Sequence, residues 1–295
     1  MLQNSFLNLT PGVKCQSTKY KEIMKKSSFY IFVVTSVLTL YPWGSTGSVW
    51  GGTGAAWGAT GQAGPAGAGE LRIMSYNIRV GKGMEQAQSL VRTSVVISRE
   101  RPDIVMLQEV DSVVVRSGGV NQTEELGRLT GMHAVFAPAI KLGSGKYGVA
   151  MLSAEKPLSV RKIPLPGREE ARVLLIVEFH RFFAASTHFS LTEEDRMESV
   201  KILLKEADRL KKPFIVGGDF NALPGSAELE VLKSGFSLLS DGKTFTFPAN
   251  FPDRCIDYIF ISKRFAERFK VISSTVIPEA LASDHRPLLV QGSLQ

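Results

Sequence analysis

The sequence predicts an α/β domain built from two packed sheets with helices outside, and three observations support that. Strand-like runs outnumber helical ones, which does not suit a simple alternation of strand and crossover helix. Several runs, among them residues 103–110 and 213–216, are nearly continuous in apolar residues, the pattern of strands covered on both faces. These runs end in carboxylates or carboxamides, at the end of a strand where α/β folds tend to place chemistry. A chain of 295 residues has room for one large domain or two small ones, and 44% hydrophobic with 21% charged residues is ordinary for a soluble globular protein. The two cysteines, Cys15 and Cys255, have no metal-ligand spacing, so neither a zinc site nor a disulfide framework is expected.

The N-terminal part reads differently. Met24-Lys25-Lys26 precedes an apolar run at residues 29–41, short for a transmembrane helix and of the right length for a secretory signal. Residues 1–43 are therefore expected to be an extension plus an export signal. The protein would be periplasmic or secreted, or membrane-anchored if the signal is not cleaved. Residues 44–70 are rich in Gly and Ala and carry too little apolar surface to offset their ordering entropy, which predicts a flexible linker. The catalytic domain then spans 71–295. Residues 1–70 hold five lysines against two glutamates, so of the net +7 only about +4 belongs to the folded part, weak support for a nucleic-acid partner.

Within the domain, residues 71–79 alternate as a strand ending near Asn77. Ala87, Leu90, Val91 and Val95 recur at helical spacing, and Arg101-Pro102 should end that helix. Residues 103–111 form the next strand and carry Glu109 at its end. Thr123 is a candidate cap for a short helix reaching Gly131, and strand-like runs recur at 133–138, 147–153, 173–179 and 182–189. Thr192-Glu193-Glu194-Asp195 has the form of a capping box for a helix to about Lys211. The short strand at 213–216 runs into Gly217-Gly218-Asp219-Phe220-Asn221, after which Ser226 can cap a helix closed by Gly235. Residues 255–261 form a strand holding the acid Asp257, and Ser283-Asp284-His285 precedes a last apolar run.

Asp219 and Asn221, two apart at a strand's C-terminal end, project to one side. With Asn77, Glu109, Asp284 and His285 they assemble hard oxygen ligands and an imidazole, the donor set of a magnesium or manganese hydrolase. Singly, each of these residues also reads as a cap, a turn or a solvated strand end.

The ordered set Ser75-Tyr76-Asn77, Leu107-Gln108-Glu109, Thr187-His188, Gly218-Asp219-Phe220-Asn221, Ile256-Asp257-Tyr258 and Ser283-Asp284-His285 resembles the motifs of the endonuclease/exonuclease/phosphatase superfamily, the deoxyribonuclease I-like fold. The similarity spans residues 71–292, and the segments around Glu109 and Tyr147 resemble its exported bacterial metal-dependent hydrolase branch. The resemblance implies an α/β fold, a four-layer αββα sandwich of two mixed, mainly antiparallel sheets with helices outside, that hydrolyses phosphoesters with Mg²⁺ or Mn²⁺. It implies Glu109 as a metal ligand, with Asn77, Asp284 and Asp219 completing the shell. His285 becomes the general base for the attacking water, oriented by Asp257, while Asp219 aligns that water. Asn221 donates to the charge developing on phosphorus, and His188 donates to a phosphate oxygen or to the leaving group. Asn77, Asn221, Arg116 and Tyr147 are the candidates for holding the substrate phosphate.

The chain departs from the deoxyribonuclease branch at one place. That branch pairs its equivalent of His188 with a second carboxylate, and the nearest comparable position here, Tyr147-Gly148, holds no acid. Substrates within the superfamily range over nucleic acids, phospholipids, inositol phosphates and nucleotide-bearing cofactors, and motifs at the scissile phosphate do not separate them. A phospholipid head group or another small phosphoester is expected, acted on by a monomer. The basic, aromatic-bearing stretch 263–270 is a candidate for membrane-surface contact. The alternatives are an exported nuclease and a non-catalytic phosphate- or lipid-binding module on the same fold.

Overall fold

The computed structural model describes residues 69–295, so the expected extension, signal and linker up to residue 68 lie outside the described residues. The first part of the chain builds β1 (Glu70–Asn77), α1 (Leu90–Glu100), β2 (Ile104–Ser112), α2 (Gln122–Thr130), β3 (His133–Leu142) and β4 (Gly145–Ser153). A second part follows with β5 (Ser159–Leu165), β6 (Arg172–Glu178), β7 (Phe183–His188), α3 (Glu193–Arg209), β8 (Phe214–Asp219), α4 (Ala227–Leu232), β9 (Phe236–Leu238) and β10 (Asp257–Ser262). The last strands, β11 (Phe269–Val276) and β12 (Leu288–Leu294), return to the first sheet.

The first sheet has the order β11-β12-β1-β2-β4-β3 and the second β5-β6-β7-β8-β10-β9. Each contains one parallel pair, β1–β2 or β7–β8, joined by a crossover helix, and is otherwise antiparallel. Side-chain alternation fills three apolar layers. Ile73, Met106, Leu175 and Ile259 enter the core between the sheets. Met74, Val105 and Leu107 meet Val96, Ile97 and Leu126 of α1 and α2, and Leu174 and Val216 meet Val200, Leu203 and Leu229 of α3 and α4. Both faces of the central strands are therefore dry, and each large apolar side chain so buried contributes roughly 1.5 to 3 kcal/mol. That is why these strands read as continuous apolar runs, and the four-layer αββα sandwich is the result.

Local differences from the sequence reading have physical causes. Ser89 caps α1 by accepting the Arg92 N–H at 3.1 Å, so Ala87 lies outside the helix. A pattern counted from Ala87 selects the wrong face: Val91 and Val95 are exposed, while Thr93, Val96 and Ile97 face the core. Asn121, not Thr123, occupies the N-cap of α2. Thr192 does occupy the N-cap of α3, but its hydroxyl faces Glu169 and no capping-box hydrogen bond forms. Ser226 likewise starts α4 without a side-chain cap. The stretch 263–268 is a 3-10 turn, not a regular helix, and leads into β11. Among the described residues no helix is long and apolar enough to cross a membrane.

Candidate active site

The parallel pairs deliver four site residues at their C-terminal ends: Asn77 and Glu109 from β1 and β2, His188 and Asp219 from β7 and β8. Asp257 begins β10 and faces Asp219 in antiparallel register. Asp284 and His285 sit in the loop ahead of β12 and not at a strand end. β12 starts opposite Ser75, and Ser283 donates to the Asn77 carbonyl at 2.7 Å, which sets the loop over the end of β1. At Glu109 the β2–β4 register shifts and the backbone turns left-handed, with φ 55°. This bulge redirects the carboxylate toward the other sheet. Gln108 braces it by donating to the Met106 carbonyl at 3.0 Å and to the Ser186 hydroxyl at 3.2 Å across the interface.

One oxygen gathers both sheets. Asp219 Oδ2 lies 3.2 Å from Asn77 Nδ2, 3.4 Å from His188 Nε2 and 3.5 Å from His285 Nε2. Its other oxygen accepts the Asn221 N–H at 2.9 Å, and Asn221 itself stands at φ 48°. His285 directs Nδ1 to Asp257 Oδ2 at 2.9 Å, both residues buried, and its ring packs against Phe247 at 4.7 Å. Burial alone would strip the imidazole of its proton, but Asp257 and Asp219 outweigh that and raise its pKa to about 10. His188 behaves oppositely: burial and the neighbouring Arg172 outweigh Asp219 and lower its pKa to about 4.

Glu109 is half-buried and accepts from Asn77 Nδ2 at 3.0 Å. Its carboxyl is pushed above the usual range by burial, with Asp284 and Asp219 adding repulsion that Asn77 only partly offsets. A group of under-compensated carboxylates is what a hard divalent cation fits, since its ligands are oxygens. Glu109, Asp219 and Asp284 could hold such an ion. Asp284 also pairs with Arg79 at 3.2 Å. Asn77 accepts the Arg79 N–H through its oxygen at 3.1 Å and turns its nitrogen to the two carboxylates of Glu109 and Asp219. Asp219, Asp257 and His285 also lie close enough to share an ion, each offering an atom within 4.8 Å of the others. The 2.9 Å contact between His285 and Asp257 is instead that of a hydrogen-bonded pair.

The remaining expected residues are placed as follows. Asn221 donates its side-chain amide to the Phe189 carbonyl at 2.9 Å. Arg116 is gripped at two points by the buried Asp111, both at 2.9 Å, and lies 5.1 Å over the Tyr147 ring. It is an arginine braced at its guanidinium while the side chain stays exposed. Sequence reasoning missed Arg79, Asp111 and above all Arg172, whose Nη1 lies 3.2 Å from His188 Nδ1. The only signal for Arg172 was a basic residue between two acids and an apolar strand, Glu169-Glu170-Ala171-Arg172, which any solvated turn also shows.

A family model described as the endonuclease/exonuclease/phosphatase family matches residues 74–285. No curated protein matches the sequence. Among solved structures, an endonuclease/exonuclease/phosphatase from Beutenbergia cavernae is 21% identical, with a TM-score of 0.63, covering 77% of this chain and 72% of its own. The mannosyl-6-phosphatase of Bacteroides thetaiotaomicron is 18% identical, with a TM-score of 0.60 and coverage of 75% and 98%. The catalytic domain of human Nocturnin with bound sulfate is 23% identical, with a TM-score of 0.57 and coverage of 77% and 95%. At these identities the structures speak for the fold, and the family model, over most of the chain, speaks for the family. Family members hydrolyse phosphoester bonds and generally use divalent metals. The chain therefore belongs to the endonuclease/exonuclease/phosphatase family.

Proposed function

We propose that this protein is a divalent-metal-dependent phosphoester hydrolase in which His285, held by Asp257, activates water. The observation that carries it is the convergence of Asn77, His188 and His285 nitrogens on Asp219 Oδ2, within 3.2 to 3.5 Å. Such a cluster offers nitrogen donors for phosphate oxygens beside carboxylates for a cation. Mg²⁺ or Mn²⁺ held by Glu109, Asp219 and Asp284 would supply positive charge for the phosphate. Asp257 fixes the His285 ring with Nε2 facing the site and stabilises the imidazolium that forms when a proton is taken. Against burial, Asp257 and Asp219 hold the His285 proton, so a cation offsetting the Asp219 charge would lower the His285 pKa. Asn77 and His188 position phosphate oxygens, and Asn221 stands beside Asp219 for the same charge. Arg116 and Tyr147 form the adjoining wall.

A small phosphoester or phospholipid head group suits the surface better than duplex DNA. Duplex binding that neutralises about 6 to 10 phosphates needs a dense basic face, and the folded part has little net charge. The loop that sets Phe247 against His285 also carries Phe251, 81% exposed and free to meet an apolar substrate portion. Export remains part of this proposal, on the evidence of residues 24–41; N-terminal sequencing of the mature protein that found Cys15 still present would refute cleavage.

Chelation should abolish turnover of a generic phosphodiester, and Mg²⁺ or Mn²⁺ should restore it. Full activity of the chelated protein would rule out the mechanism. Plasmid, single-stranded oligonucleotide, sphingomyelin and inositol phosphates, compared at two salt concentrations, decide the substrate class. Plasmid nicking that collapses with salt while lipid and inositol esters stay intact would put a nuclease first.

A further inference from the structure

A second inference rests on the hydrolase reading and concerns what orients His188. Arg172 opens β6 and is only 7% exposed. Glu170 holds its Nη1 at 3.0 Å and Glu169 its Nη2 at 3.3 Å. Glu169 also accepts the Leu191 N–H and the Ser190 hydroxyl, each at 2.8 Å. The loop before β6 and the segment after His188 thus share one anchor, which fixes where the guanidinium can point.

A guanidinium carries only donors. A hydrogen bond across the 3.2 Å from Arg172 Nη1 to His188 Nδ1 therefore needs the lone pair on Nδ1, which leaves the ring proton on Nε2. Nε2 faces Asp219 Oδ2 at 3.4 Å, an oxygen that accepts. The Arg172 side selects this neutral tautomer, and the Asp219 side is compatible with it. A carboxylate beside Nδ1 would do the reverse, placing a proton there and favouring the imidazolium. β4 cannot supply one at Gly148, because even a Cβ there would collide with the Ala137 carbonyl.

We propose that Arg172 is a positioning residue that fixes His188 as a neutral Nε2–H donor, so that His188 binds a phosphate oxygen and does not protonate the leaving group.

The chain has four histidines, so nitrogen NMR of the ¹⁵N-histidine-labelled full-length protein is tractable, with His188→Gln identifying the His188 signals. The expected result at pH 7 is an unprotonated Nδ1 and a protonated Nε2. A protonated Nδ1 overturns the proposal without any variant having to fold. Arg172→Met should mix the tautomers and lower kcat by about 10- to 100-fold, the scale on which removing the group that orients a functional histidine acts. Arg172→Lys, which keeps a donor, should restore both. His188→Gln, a neutral donor, should retain activity within about 10-fold, whereas His188→Ala should lose on the order of 10²-fold. Equal loss in both variants, larger for alkyl than for nitrophenyl leaving groups, would identify His188 as the acid and overturn the proposal. Absence of any wild-type turnover overturns the hydrolase reading and the role of His188 with it. The wrong tautomer in a wild type that does turn over overturns the role of Arg172 alone.

Discussion

Two histidines flank one carboxylate oxygen, and their other ring nitrogens meet opposite charges. His285 Nδ1 rests on Asp257 at 2.9 Å, while His188 Nδ1 rests on Arg172 at 3.2 Å. Both rings are buried to the same degree, so desolvation does not distinguish them. The partners do: around His285 the carboxylates overcome burial and raise the pKa to about 10, whereas at His188 burial prevails, with Arg172 adding to it, and lowers the pKa to about 4. One arm of the site is thus built to hold and release a proton, and the other to offer a hydrogen bond without changing charge.

Removing the proton-handling arm should cost most. His285→Ala should lower kcat by about 10²-fold or more with the fold retained, the usual scale of a general base. Parent-like turnover in that variant, with Glu109→Ala inactive, would reduce His285 to a supporting role. Asp257→Asn should act in the same direction, by upsetting the tautomer, with a loss of roughly 10-fold or more. A loss in Asp257→Asn without one in His285→Ala would break the pairing of the two residues.

The smallest effect is also the sharpest contrast. In chelator, the raised pKa of His285 contributes stability that is fully present below 6.5 and is lost as the pH rises toward about 10. The lowered pKa of His188 acts at the other end. Between 6.5 and about 4 the unfolded chain binds a proton that the folded ring refuses, so stability falls with falling pH. Melting curves against pH should show both limbs, the alkaline one flattened by His285→Ala and the acid one by His188→Gln. Limbs unchanged by these substitutions would show that the two rings do not differ in this way.

Much of this architecture was legible in the sequence because the central strands are dry on both faces. β2, β8 and β10 stand out as apolar runs, and their ends supply Glu109, Asp219 and Asp257. The strands missed, β5, β9 and β11, are edge strands; β5 carries Pro164 and β11 is largely exposed, so neither shows a buried strand's pattern. The same division holds in the site. His285 and Asp257 belong to compact local motifs. Arg172 acquires its meaning only from His188, a strand away, as Arg116 does from the burial of Asp111. A charged residue before an apolar run has many possible partners, and only the packing of β6 against β7 selects this one.

The left-handed turn at Glu109 sets local conformational preference against chemistry, a point of frustration within the site. A branched or long side chain at positive φ costs about 1 to 2 kcal/mol, and here it also carries a carboxyl pressed upon by burial and like charges. Asn221, also left-handed, belongs to a residue type that tolerates this region, so its conflict is milder. Glu109→Gly should therefore be inactive yet more stable, by up to about 1 kcal/mol or roughly 2 to 4 °C in Tm, whereas Asn221→Gly should move Tm little. A lower Tm in Glu109→Gly would show that its bond to Asn77 outweighs the strain. If the rise is found, selection for thermostability alone would drive this protein away from its own activity, beginning at the strand end where the two sheets meet.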